Sequence, residues 1–225
     1  MNENQKLKMQ LLQEFSCVEN PISFCREAYK FLTEDKEAAA PVTPTDKQVS
    51  DGIYLVYETG HYTPFTSGMG KSLASGVKYI GIVHTGHAFC VALRDLGQFP
   101  LIKEDVECED ESDFYVPREC DALNDWECIE RTKRIQELGT DIKLNDSEYI
   151  PALPMVVAMC YWADKGLNEA LEFVGGQPFD MDSYYWSVTE FYSNNAWIVN
   201  FGSGYVNTFS QYYSDVVRPV AAFNL

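Results

Sequence analysis

The chain has 225 residues, of which 46% are hydrophobic and 14% aromatic, enough to bury a core in one large domain or a domain with an appendage. Asp and Glu number 34 against 17 Lys and Arg, so the formal net charge is -17 and the pI is near 4.4. Such a charge repels phosphate backbones and anionic lipid, which excludes nucleic acid and an anionic membrane surface as partners. A cationic partner stays open, although acidity is more often a general trait of a soluble surface. Seven cysteines without compact spacing, and no CxxC, read as reduced structural thiols rather than a disulfide framework. No apolar stretch follows the charged, polar start Met1–Lys6, and no run approaches a membrane span. Neither signal-peptide secretion nor membrane insertion is therefore expected of the chain as it stands.

In chain order, Leu7, Leu11, Leu12 and Phe15, then Ile22, Cys25, Tyr29 and Leu32, fall at helical spacing and are interrupted by Pro21. Two short helices are expected there, able to pack on the main body or to mediate a homo-oligomer. Residues 38–45, with two prolines and small side chains, read as a linker. The expected division is a helical segment and linker over 1–45 and a main domain over 46–225. Strand signals begin at Ile53–Tyr57 and return at Val77–Val83 and Ala88–Leu93, the last two flanking His84-Thr-Gly-His87 as a hairpin turn. Residues 103–148 lose any period and carry seven acids between Glu104 and Asp113. They read as an inserted surface loop with one short helix near Leu123–Leu138. Pro154 in a first turn and Gly166 beyond bound a helix, and Leu167–Val174 forms a second, closed by Gly175 and Gly176. Further strands are expected at Tyr185–Ser187, Ala196–Phe201, Tyr205–Phe209 and Val216–Val220. Along Ala196–Phe201, residues Trp197, Val199 and Phe201 share the expected core face, and Ile198 and Asn200 share the other.

The segment from Tyr184 to Tyr213 holds eleven aromatics among Asn, Ser, Gly and Thr, and no Lys or Arg lies between Lys165 and Arg218. Rigid rings beside small adaptable polar groups give large contact area at low entropy cost, the chemistry of a binding surface.

The ordered run Pro151-Ala-Leu-Pro154, Leu167-Asn-Glu-Ala-Leu171, Gly175-Gly176, Tyr185-Trp-Ser-Val-Thr-Glu190, Asn195-Ala-Trp197, Val199-Asn-Phe201, Gly204 and Val217-Arg-Pro-Val220 resembles the bacterial C-type-lectin-like domains. Within that group the likeness is to the variable proteins of diversity-generating retroelements, found in gut bacteria and their phages. It covers roughly 150–220 well and 50–100 weakly. The resemblance implies an α+β C-type lectin fold, with a small twisted sheet, two helices and a ligand-binding face on the C-terminal strands and loops. It implies scaffold positions at Trp186, Ser187, Thr189, Glu190, Ala196, Trp197, Val199, Phe201, Gly204, Arg218 and Pro219. It implies display positions at Phe191, Tyr192, Asn194, Ile198, Asn200, Tyr205, Asn207, Phe209, Tyr212, Tyr213 and Asp215. In that family, adenine-directed mutagenesis rewrites Asn-type codons, and all eleven display residues belong to the set such changes reach. Val188 stands where serine is usual and Gln211 where lysine is common.

Other constellations argue less. His84, His87 and Cys90 have ligand chemistry, but i and i+3 on a strand face opposite ways, and hairpin packing is the better reading than zinc. The acidic run lacks the spacing of a calcium loop, and Gly68-Met-Gly-Lys-Ser72 has Phe65 where a phosphate loop needs glycine. Oxidases on the lectin-like fold need a cysteine pair in the cleft, and no cysteine lies between 161 and 225. Glu190 and Arg218 are expected to be buried as a mutual pair. The expectation is a non-enzymatic recognition protein with neither cofactor nor metal. It would bind a protein or glycan on a cell surface and sit on a phage virion or bacterial surface after assembly. The alternative is a virion assembly protein that buries the same face against another subunit.

Overall fold

Strands form where β-branched and aromatic residues crowd the sequence, and they are joined by turns that glycine and proline permit. The structure, a computed structural model, describes residues 49–104, 106 and 112–225, which belong to one compact unit, Gln48–Leu225. The two helices and the linker expected at the N-terminus, and most of the acidic run, lie outside the described residues. The strands are β1 (Gly52–Tyr57), β2 (Tyr62–Pro64), β3 (Val77–His84), β4 (His87–Ala92), β5 (Gly97–Phe99) and β6 (Glu148–Tyr149). They continue with β7 (Tyr184–Tyr192), β8 (Asn195–Asn200), β9 (Val206–Ser210), β10 (Asp215–Val217) and β11 (Val220–Ala222). The helices are α1 (Glu119–Ala122), α2 (Ile129–Leu138), α3 (Leu153–Trp162) and α4 (Asn168–Phe173). The architecture is α+β, mostly sheet with few helices.

The one small sheet expected is two. The first runs β2-β1-β3-β4-β11-β6 and the second β5-β10-β7-β8-β9. The expected strand Val216–Val220 breaks at Pro219, which lacks a ladder donor, so β10 joins the second sheet and β11 the first. β3 and β4 form the expected hairpin, with Thr85 and Gly86 at φ 52 and 84 and His84 paired with His87. Strand alternation buries Ile53, Leu55, Ile80, Ile82, Phe89 and Val91 in the main core. On the opposite face Tyr54, Val56, Tyr79, Val83 and Cys90 form a second cluster with Phe223, whose ring lies flush on Gly81. A Cβ at Gly81 would sit 2.5 Å from that ring.

Residues 112–148 are not the surface loop their irregular pattern predicts. They carry two helices and bury Ala122, Cys128, Ile135 and Ile142 in the main core. Apolar residues so widely spaced leave no period to read, yet each fills one gap. Helix α3 buries Leu153, Pro154, Met155, Val156, Ala158 and Met159 around its circumference and packs on β7 and β8. Gly166 at φ 112 breaks the chain between α3 and α4, as its position in the sequence predicts.

The start of α3 is held from a distance. Its N-cap residue, Ala152, has no side-chain oxygen to offer the first-turn amides. The Leu153 N–H instead donates to Thr189 Oγ1 on β7 at 3.0 Å, and the Val188 N–H donates to the Pro151 carbonyl at 2.8 Å. Thr189→Val keeps the shape but strands the buried Leu153 amide, with an expected cost of about 1–2 kcal/mol in thermal or denaturant unfolding. Unchanged stability would show that Thr189 does not hold the helix.

Candidate functional site

The middle of β7 cannot be a regular strand. Its register with β8 shifts between Trp186 and Glu190 and again before Tyr192, so extra residues bulge from the ladder. The bulge turns polar side chains inward, and each finds a partner. Ser187 Oγ donates to the Trp197 carbonyl at 2.7 Å, and the Trp186 indole donates to the Phe99 carbonyl at 3.0 Å. The Trp197 indole donates to the Val116 carbonyl at 2.9 Å, while the Val116 N–H donates to the Glu190 carbonyl at 2.9 Å. Val116 thus ties the 112–148 segment to both β7 and β8. Glu190 also accepts from Arg134 Nε of α2 at 2.9 Å. Burial pushes the Glu190 carboxyl up, and the Arg134 charge opposes that shift.

Glu190 and Arg218 do not pair with each other, contrary to expectation. Glu190 faces α2, whereas Arg218 follows β10 and faces the chain beyond β4. There its guanidinium bonds Asp95, the Ala92 carbonyl at 3.1 Å and the Gln177 carbonyl at 2.9 Å, and it lies 4.3 Å from the Phe179 ring centroid. Each charge is instead neutralised by a residue that no signature names. All eleven scaffold positions, from Trp186 to Pro219, are buried.

The display positions divide differently. Tyr192 is 50% exposed, Tyr205 51%, Phe209 43% and Tyr213 60%, and Asn207 is exposed as well. Phe191, Asn194, Asn200, Tyr212 and Asp215 are half-buried. The Phe209 and Tyr213 rings approach to 5.1 Å, and Phe209 lies 6.5 Å from Trp186, so the exposed rings rest on the scaffold edge. Tyr184, which the motif reading leaves out, pairs with Asn200 and is exposed at 37%. Tyr115, from the 112–148 segment, brings its ring within 5.7 Å of Tyr192.

Three positions differ from a simple display role. Ile198 is 2% exposed, because it sits on an inner strand between Trp186 of β7 and Asn207 of β9. Residues 196–199 are therefore all buried, and β8 has no solvent face where one was expected. The Asn207 carboxamide oxygen accepts from the Thr208 N–H at 2.8 Å, which covers a backbone donor on the outer strand β9. Tyr212 Oη donates to the Val106 carbonyl at 2.8 Å, so this ring is anchored. Gln211 is fully buried, its carbonyl accepting the Leu101 N–H at 2.9 Å and its N–H donating to Asn194 at 2.7 Å. This position is a joint of the scaffold.

The histidines lie elsewhere. His87 stacks on Trp126 at 3.9 Å, while His84 rests 5.2 Å from Tyr161. The hairpin pairs the two residues, yet each ring packs against a different aromatic.

Two outcomes are expected. Arg218→Met leaves Asp95 buried without its partner and lowers stability by about 3–5 kcal/mol, an effect smaller in the double variant with Asp95→Asn, both measured by denaturant unfolding. Burial lifts the half-buried Asp215 carboxyl to about 6. Its raised folded-state pKa means its contribution is complete below the unfolded value of ~4 and is lost as pH rises through about 6. Asp215→Asn should therefore stabilise the protein at pH 7, by up to roughly 1 kcal/mol once solvent screening is allowed for, and give no gain near pH 4. Equal gains at both pH values would contradict this assignment.

No family model matches the chain, and no curated protein matches it. Among solved structures, the chain is similar to a fimbrial protein from Bacteroides ovatus ATCC 8483, with a TM-score of 0.48 and 14% identity. The likeness covers 78% of this chain and 49% of that one, so the chain spans about half the length of that structure.

Proposed function

We propose that this chain is a non-enzymatic recognition protein with a C-type lectin fold, of the variable-protein type associated with diversity-generating retroelements. Its aromatic face attaches to a protein or glycan target, and the protein acts from a phage virion or a bacterial surface. What supports this reading is the division of labour along 184–218. The scaffold positions are buried, and their polar groups are held by hydrogen bonds inside the fold. Four of the display rings are at least 43% exposed, and their side chains make no hydrogen bond among the described residues. Substitution at the rings therefore leaves the anchors of β7 intact, the condition a diversified surface has to meet. Burial and stacking of such rings dominate affinity in comparable interfaces.

Replacing Tyr192, Tyr205, Phe209 and Tyr213 with alanine should abolish binding to protein and glycan arrays, each anchor contributing about 2 kcal/mol, while the melting temperature stays nearly unchanged. Trp197→Ala should do the reverse to stability, at a cost of about 3–5 kcal/mol. Unfolding of the four-ring variant would show that the rings belong to the core. If light scattering instead shows that the four rings hold an oligomer together, the face is a subunit interface and the assembly reading replaces this one.

A further inference from the structure

Resting on the recognition reading above, we infer that the aromatic face binds a basic protein segment, whose Arg and Lys side chains lie over the exposed rings. The first observation is how the chain uses its other rings. Lys165 Nζ lies 3.9 Å from the Tyr161 ring centroid, Lys71 5.2 Å from Phe173, Lys78 5.1 Å from Tyr79, and the Arg134 guanidinium 4.9 Å from Phe114. Among the described residues, no Lys or Arg lies over Tyr184, Tyr192, Tyr205, Phe209 or Tyr213. Those π-faces are the ones left open to a cation from outside.

The second observation is electrostatic and independent of the rings. Two described residues, Val106 within the acidic run and Tyr115 just after it, contact this face. Val106 accepts from Tyr212 Oη at 2.8 Å, and Tyr115 packs its ring against Tyr192. Glu104 and Asp113, each two residues from one of these contacts, are exposed. The nearby cations are already paired: Lys103 with Asp141 at 3.0 Å, Arg131 with Asp125 at 2.6 Å and Arg134 with Glu190 at 2.9 Å. A cationic ligand therefore meets Glu104 and Asp113, which have no ion-pair partner among the described residues, together with uncovered rings, and the net charge of -17 steers it in. A neutral glycan would use the rings but draw nothing from the acids.

The test is selection of a random peptide display library on the full chain, counter-screened against the Tyr192→Ala, Tyr205→Ala, Phe209→Ala, Tyr213→Ala variant. Peptides that bind the wild type and not the variant should be enriched in Arg and Lys. Replacing one such residue with norleucine should weaken binding roughly two- to fivefold per ring contact. Binding should also fall as salt is raised from about 50 to 300 mM, and less steeply for Glu104→Gln with Asp113→Asn. Ring-dependent peptides without basic enrichment would overturn this inference and leave the recognition reading standing. Ring-dependent binding found only on a glycan array would do the same. An absence of ring-dependent binders in either format would overturn both.

Discussion

The bulged centre of β7 is the constraint on which the rest of the structure depends. In a regular strand Ser187 and Thr189 would share one face and Glu190 would take the other. Across the register shift all three are buried, and each secures a different element. Ser187 locks β8, Thr189 supplies the cap that the α3 sequence lacks, and Glu190 holds α2 through Arg134. Buried polar groups are costly when unpaired, so this arrangement tolerates little change at any of these positions.

That intolerance is what frees the neighbouring rings. Sheet, helices and the 112–148 segment converge on β7 and β8 through hydrogen bonds and buried apolar contacts that do not depend on the side chains of Tyr205 or Tyr213. Those side chains lie on the strand ends and turns bordering the locked region, where backbone position is set by other residues. A surface organised in this way keeps its geometry as its chemistry varies. Its exposed rings carry area, and the acids beside them carry charge.

Much of this was legible in the chain itself, wherever the signal is local. Pro154 and Gly166 bound α3 because proline fits a first turn and glycine accepts the positive φ that ends the run. The β3–β4 hairpin follows from Thr85-Gly86 between two apolar stretches. Partner choice was not legible. The bonds from Thr189, Glu190 and Arg218 span 36, 56 and 123 residues, and nothing near those positions distinguishes Arg134 or Asp95 from other charges. Ile198 shows the same limit: alternation assigns it a face, but only the neighbours Trp186 and Asn207 decide that the face is covered. The 112–148 segment hid its contribution to the core because its apolar residues have no period.

Saturation mutagenesis of residues 184–218, scored for folded protein by a conformation-dependent or protease-resistance readout, tests the central claim most directly. Tyr192, Tyr205, Asn207, Phe209 and Tyr213 should accept most substitutions without loss of folded protein. Trp186, Ser187, Thr189, Glu190, Trp197 and Arg218 should accept almost none. Equal intolerance in the two groups would contradict the account, because the rings would then be part of what holds the scaffold together.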